Sequence, residues 1–322
     1  MYCIEFDGFR SPWPNHSRKH QTPSRLKQQR WHWGRKTLAK QRLDLLLVER
    51  KLCESRQQAQ RVIRAGEVKV KQQIVDKPGT LVPADVDIEV QAKPPFVSRG
   101  GEKLAKAIAH FQITVKDRIC LDGGISTGGF TDCLLQAGAQ QVYGIDVGYG
   151  QVAWKIRQDP RLILRERTNF RHLTPGDLYP ESTKRPTLGV MDLSFISLTK
   201  VLPTLWSLLD EPKEVILLVK PQFEVGRAQV GKNGVVRDPQ AQAQAIFSVL
   251  EAAQKLGWHP QGLTYSPITG PAGNVEYLLW LSTDTPQIDL DLEALKQLTK
   301  TAIATLSKPA NPDGSTTANI TE

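Results

Sequence analysis

Two apolar runs that each end on an acid constrain this chain most: Ile119-Cys-Leu-Asp122 and Val142-Tyr-Gly-Ile-Asp146. A glycine-rich turn, Gly123-Gly-Ile-Ser-Thr-Gly-Gly129, and a helical pattern lie between them. Strand, tight turn, helix and second strand make a βαβ unit, which obliges the two strands to run parallel beneath covering helices. The glycines let the backbone approach a ligand closely, and an acid at the end of the second strand sits where a ribose diol can be held. The turn reads Asp122-x-Gly124-x-x-x-Gly128 and lacks the Gly-x-Gly-x-x-Gly spacing that cradles a pyrophosphate. A nucleoside without a pyrophosphate, S-adenosylmethionine, fits it better than NAD.

The alternation of strand and helix runs on to about residue 282. Strands are expected at 118–122, 142–146, 161–165, 188–192, 214–219, 262–266 and 275–282. Helices are expected at 101–111, 128–137, 149–157, 198–209, 238–256 and 290–305. This pattern predicts an α/β, Rossmann-like, doubly wound domain over 99–306 with a mostly parallel seven-stranded sheet. The segment Gln91-Ala-Lys-Pro-Pro-Phe-Val97 is stiffened by proline, which makes 92–98 a linker. The polar tail 307–322 is expected to be disordered.

Residues 40–91 form a separate compact pattern. Leu43, Leu46 and Leu47 share one helical face, Ser55 is placed to cap a second helix, and Ala59, Val62 and Ile63 point inward from it. Gly66 ends that helix, and short strands follow at Val68–Val70, Ile74–Val75 and Val86–Val90. Arg56, Gln60 and Arg64 recur every four residues with Arg61 beside them, so they share one face. Such a face is either plain solvated charge or a surface for an RNA backbone.

The net charge of +9 does not decide between these. Residues 1–40 hold nine Lys/Arg against Glu5 and Asp7, which leaves only +2 for the rest of the chain. The basic extension 1–39 has no helical or strand period and is expected to be disordered. Ordered pattern starts abruptly at Arg42, so translation is expected to start near Leu38; an intact mass of the native protein that includes Met1 would refute this.

No apolar run approaches the ~20 residues that span a bilayer. The first residues lack the basic and apolar regions of a secretory signal. Cys3, Cys53, Cys120 and Cys133 form no Cys-x-x-Cys pair, which fits reduced thiols in the cytoplasm. The six histidines show no metal-ligand spacing, and no metal is expected. Oligomeric state leaves no trace in the pattern.

Four charged residues occupy settings that penalise charge. Asp192 ends Leu188-Gly-Val-Met-Asp192, Lys220 ends Val215-Ile-Leu-Leu-Val-Lys220, Glu276 stands near the start of Val275-Glu-Tyr-Leu-Leu-Trp280, and Lys103 follows Ser98-Arg-Gly-Gly-Glu102. Each alone could be a paired structural ion; Asp192 and Lys220 together at neighbouring strand ends point to a cleft. Amino methyltransferases usually carry Asn/Asp-Pro-Pro-aromatic after the fourth strand, where this chain has Asp192-Leu-Ser-Phe195. No Pro-Cys pair offers a nucleophile for methylating pyrimidine carbon. A lysine beside carboxylates suits a hydroxyl substrate.

The words around these residues resemble known families. Arg42-Leu-Asp-x-Leu-Leu-Val-x-Arg50, followed by Ser55-Arg-x-x-Ala and Gly66-x-Val-x-Val70, resembles the RNA-binding domain named after small-subunit ribosomal protein four, in which Arg42, Arg56, Arg61 and Arg64 match basic positions. The order of Lys103, Asp192, Lys220 and Glu276 resembles the Lys-Asp-Lys-Glu tetrad of FtsJ/RrmJ-like ribose 2′-O-methyltransferases. Ser98-Arg-Gly-Gly-x-Lys-Leu104, Ser126-Thr-Gly-Gly-Phe-Thr-Asp-Cys133, Asp146-Val-Gly-Tyr-Gly-Gln151, Glu166-Arg-Thr-Asn169, Asp192-Leu-Ser-Phe-Ile-Ser197 and Val219-Lys-Pro-Gln-Phe-Glu224 are similar to the TlyA family. That resemblance implies S-adenosylmethionine-dependent 2′-O-methylation of cytidine in ribosomal RNA, with ribosomal subunits as partners.

It also implies roles. Asp122, Gly124, Ser126, Thr127 and Gly128 would shape the cofactor pocket, Asp146 would take the ribose hydroxyls, and Asn169 would lie near the adenine. Lys220 would serve as general base or favour ionisation of the hydroxyl, Lys103 would stabilise the alkoxide, and Asp192 and Glu276 would orient the lysines. Ile125 departs from the small residue usual there and is expected to crowd the cofactor. Gly226-Arg-Ala-Gln-Val-Gly-Lys232 fits a phosphate-loop spacing but is followed by Asn233, so Arg227 and Lys232 are expected on a basic lip over RNA. The alternatives are a non-catalytic RNA-binding assembly factor and, from a label some relatives carry, a haemolysin.

Overall fold

A computed structural model describes residues 39–91, 94–180, 184–284 and 288–307. The expectations for the basic extension, for a start near Leu38 and for the tail beyond Ser307 lie outside the described residues. The chain divides after Ala92 into two compact units.

The first unit runs β1 (Lys40–Arg42), α1 (Leu43–Glu49), α2 (Arg56–Arg64), β2 (Val68–Val70), β3 (Gln73–Ile74), β4 (Leu81–Pro83) and β5 (Ile88–Val90). The strands β3, β2 and β5 form an antiparallel sheet in that order, and β1 pairs with β4. Leu43, Leu46 and Leu47 of α1 pack on Ala59, Val62 and Ile63 of α2, as their helical spacing requires. Ser55 caps α2 by accepting the Gln58 amide at 3.2 Å. The β1–β4 pair was not foreseen, because strands of three residues are too short to show an alternating period.

Asp44 organises the basic face of this unit. It is wholly buried, yet it accepts two hydrogen bonds from Arg42 at 2.9 Å and one each from Arg56 and Gln60 at 3.0 Å. Arg42 and Arg56 are therefore tied to a carboxylate, whereas Arg61 and Arg64 in the last turn of α2 are exposed.

The second unit is the doubly wound domain. It contains α3 (Gly100–Phe111), β6 (Ile119–Gly123), α4 (Gly129–Gln136), β7 (Gln141–Ile145), α5 (Trp154–Arg157), β8 (Leu162–Arg165), α6 (Pro175–Leu178) and β9 (Leu188–Met191). There follow α7 (Leu202–Leu208), β10 (Glu214–Val219), α8 (Pro221–Glu224), α9 (Pro239–Gln254), β11 (His259–Tyr265), β12 (Tyr277–Ser282) and α10 (Leu292–Leu306). The seven strands lie in the order β11-β12-β10-β9-β6-β7-β8, and only β12 runs against its neighbours.

Successive residues of β10 serve opposite faces. Val215, Leu217 and Val219 join Leu205, Ile246 and Val249 on one side, and Ile216 and Leu218 join Leu104, Ala107 and Leu134 on the other. Helices on both faces explain the unbroken apolar runs. The chain leaves β6 for β7 and β8 on one side, then returns to β9 and β10 on the other. The ends of β6 and β9 are thus the switch point, where such folds bind ligands.

Two of the expected helices are altered and two more were not expected. The helix expected at 149–157 starts only at Trp154, because Asp146 Oδ1 accepts the Gly148 amide at 2.7 Å and Gly150 is left-handed at φ +72°. The one expected at 198–209 breaks into a 3-10 turn, Leu198–Lys200, and α7, which has Pro203 in its first turn. The four-residue helices α6 and α8 were not expected.

Acid should test the role of Asp44. Arg42 above all holds its carboxyl well below the usual carboxylate range, with burial opposing and Gln60 and Arg56 assisting. A depressed pKa contributes stability that is complete above the unfolded value of about 4 and is lost as pH falls further. Hydrogen-exchange protection over 43–64 in the full chain, relative to the intrinsic rate at each pH, should therefore fall below about pH 4. Asp44→Asn should exchange faster at neutral pH and lose that acid dependence; an unchanged acid profile would refute it.

Candidate active site

The loop after β6 is shaped by what it must avoid. Gly124 is left-handed at φ +86°, and a Cβ there would lie 2.6 Å from the Asp192 carbonyl oxygen at the end of β9. Its amide bonds the Ile145 carbonyl at 2.8 Å, which joins the loop to the end of β7. Gly128 is left-handed at φ +97° and starts α4. Ile125 is buried with Val152 and Ile156 and rests where Gly144 has no Cβ. It also borders the larger of the two clefts described next.

Two adjoining clefts open at this point and share Gly124, Ser126 and Asp192. One, of about 330 Å³, has apolar walls at Ile145, Val147, Phe170 and Leu193 and the Asp146 carboxylate. The Oδ2 of Asp146 accepts the Ser126 amide at 2.7 Å, so its oxygens bind the β6 and β7 loops together. The other, of about 420 Å³, is bordered by Ser98, Arg99, Lys103, Thr127, Phe130 and Asp192. Beneath the loop, Asp122 is fully buried. Thr131 donates to one of its oxygens at 2.6 Å, and the other has no protein partner among the described residues. Burial, against the Thr131 bond and with the charges of Asp192 and Asp146, pushes its carboxyl up to about 7.

The four charged residues meet as two ion pairs. Lys103 Nζ lies 2.6 Å from Glu276 Oε2, both nearly buried. Lys220 Nζ lies 2.6 Å from Asp192 Oδ1 and 2.9 Å from Ser194 Oγ. Strand ends explain the convergence: Asp192 follows β9, Lys220 follows β10, Glu276 precedes the antiparallel β12, and α3 delivers Lys103. Charge this deep persists only where each group has its partner.

Asn169 is exposed and caps the 3-10 turn Phe170–His172 by accepting the Arg171 amide at 3.1 Å; its neighbours Thr168 and Phe170 line the cleft instead. Arg227 and Lys232 are exposed on two 3-10 turns, Arg227–Gln229 and Lys232–Gly234, so the phosphate-loop spacing opens no helix. Sequence patterns also missed Phe195. It is 92% exposed and left-handed at φ +66°, borders the smaller cleft, and packs 5.2 Å from Phe223. Its one signal was an aromatic in the polar word Asp192-Leu-Ser-Phe195.

The FtsJ-like methyltransferase family matches residues 96–283, more than half of the chain. The chain belongs to this family. An S4 domain matches residues 41–88 of the same polypeptide. This FtsJ-like methyltransferase is 49% identical over 246 residues to the 16S/23S rRNA (cytidine-2′-O)-methyltransferase TlyA of Mycobacterium tuberculosis, covering 76% of this chain and 90% of that one. It is 39% identical to Hemolysin A of Brachyspira hyodysenteriae, covering 74% of this chain and 98% of the relative. A solved Streptococcus thermophilus structure that carries the name hemolysin has 41% identity and a TM-score of 0.62, covering 82% of this chain and 96% of that one.

Gly124 offers a test of this geometry. Gly124→Ala forces a Cβ against the Asp192 carbonyl from a left-handed backbone, a strain of about 1–3 kcal/mol. Denaturant unfolding should show that loss, while Gly226→Ala, which meets nothing within 4 Å, should stay near wild type. Equal stability of the two variants would contradict the close approach.

Proposed function

We propose that this methyltransferase transfers a methyl group from S-adenosylmethionine to the ribose 2′-hydroxyl of a cytidine in ribosomal RNA. The observation that carries the reading is the pair of lysine–carboxylate contacts, Lys220 with Asp192 and Lys103 with Glu276, beside a cleft built for a nucleoside. The S4 domain and the named activity of the Mycobacterium tuberculosis relative supply the kind of hydroxyl. Phe195 and the exposed Tyr149, with Arg167 4.1 Å above its ring, add faces on which unpaired bases can stack. Ribosomal subunits are the partners this implies, and the cytoplasm is where they are met.

The donor set fits S-adenosylmethionine. The smaller cleft pairs apolar walls for a purine with the Asp146 carboxylate, which keeps lone pairs for a diol after accepting two amides. When bound, the cofactor supplies an electrophilic methyl on a positively charged sulfur.

The remaining work falls to the protein. As the new C–O bond forms and the S–C bond breaks, the hydroxyl proton must leave. Lys220 takes it on the lone pair of its neutral amine form, and Asp192 at 2.6 Å and Ser194 at 2.9 Å stabilise the ammonium that results. Lys103, on the cleft wall and held by Glu276, stabilises negative charge growing on the attacking oxygen. Alignment of oxygen, methyl and sulfur contributes much of the rate.

Tritium transfer from labelled cofactor to purified ribosomal subunits tests the proposal. Wild type should label at least one subunit, with the label at a 2′-O-methylcytidine. Lys220→Ala should lower turnover by about 10²–10⁴-fold while calorimetry still shows cofactor binding. Retained turnover would remove Lys220 from its role. Failure of wild type to label either subunit would favour a non-catalytic RNA-binding factor.

A further inference from the structure

The segment after Asp192 is short, bent and functionally crowded. It carries Ser194, which touches Lys220, and then Phe195 in a left-handed conformation that a residue with a side chain adopts only under constraint. Two residues further on, the segment meets Glu224 at the far end of α8. Glu224 Oε2 accepts from Ser197 Oγ at 2.6 Å and Oε1 accepts the Leu198 amide at 2.8 Å. Ser197 Oγ also lies 2.7 Å from Thr199 Oγ1. The turn that begins at Lys220 and ends at Glu224 is thus joined twice to the segment after β9: Lys220 holds its start and Glu224 its end.

We infer that Glu224 is a positioning residue for methyl transfer: by gripping Ser197 and Leu198 it fixes the bend at Phe195 and keeps Ser194 Oγ 2.9 Å from Lys220 Nζ, an inference that rests on the role of Lys220 given above. The amine that accepts the hydroxyl proton has two N–H groups and one lone pair. Asp192 and Ser194 take the two N–H groups, which turns the lone pair towards the substrate hydroxyl. If Ser194 drifts away, the Nζ group rotates about Asp192 and loses its aim. Glu224 is itself a costly choice for a plain turn cap, since burial raises its carboxyl pKa against the favourable bonds from Leu198 and Ser197.

A merely structural cap and a positioning residue differ in what they disturb. Glu224→Ala should lower kcat by about tenfold or more, equivalent to about 1.4 kcal/mol of barrier per factor of ten, and leave KM for the cofactor within about twofold. Glu224→Gln should recover most of the rate, because its amide oxygen still accepts the Leu198 N–H and its amino group can donate to Ser197. The double variant Glu224→Ala/Ser194→Ala should be no slower than the slower single variant, since both act through one contact. Hydrogen exchange on free enzyme gives a second readout: the Leu198 amide should lose protection in Glu224→Ala and keep it in Glu224→Gln. Wild-type kcat in Glu224→Ala, additive losses in the double variant, or unchanged Leu198 exchange would each overturn the inference. If wild-type enzyme labels no ribosomal RNA, the proposed function fails, and the Leu198 exchange still decides whether Glu224 holds the bend.

Discussion

No side chain fits between the end of β6 and the end of β9. A Cβ on Gly124 would press to 2.6 Å of the Asp192 carbonyl oxygen, so the two strand ends meet through backbone alone. Much of the site follows from that contact. It brings the glycine loop onto Asp192 so that both border the two clefts. It sets Asp192 where β10 delivers Lys220, one strand away in the sheet. It also leaves Asp146 at the end of β7 free to bind the loop from the other side through the Ser126 amide.

The carboxylates divide into those that hold protein and those that keep capacity in reserve. Asp44 is spent on two arginines and a glutamine, and Glu224 on a hydroxyl and an amide. Asp122 has one oxygen without a protein partner. Buried carboxylates with unspent acceptors are expected at sites that await a ligand, because otherwise each would be a net penalty. Lys103 and Lys220 follow the complementary rule: each has a carboxylate partner and still lies at or beside the cleft.

Much of this was legible in the sequence for plain physical reasons. Strands covered on both faces must be apolar throughout, so β6, β7 and β10 declared themselves, and a lysine straight after Val215–Val219 stood out. The order of Lys103, Asp192, Lys220 and Glu276 carried the site. What stayed hidden depends on contacts between distant segments. Two- and three-residue strands such as β1, β3 and β4 have no period to detect. The late start of α5 is set by the Asp146 side chain capturing the Gly148 amide rather than by helix propensity. Thr168 and Phe170 line the cleft on either side of Asn169, whose Oδ1 caps the next turn, a contact no pattern shows. Glu224 looked like one more acid at the end of Val219-Lys-Pro-Gln-Phe-Glu224 until its two partners became visible.

Asp44 has a consequence for how the S4 unit meets a polyanion. The affinity of such encounters grows with the number of counterions released as cations neutralise phosphates. Arg42 and Arg56 already share an internal anion, so each offers directed N–H donors while contributing less than a full charge to the outside field. Arg61 and Arg64 carry no such partner among the described residues and act as full charges. Counting arginines on this face therefore overstates its salt dependence: half of them would contribute to the fit of the surface more than to its long-range attraction.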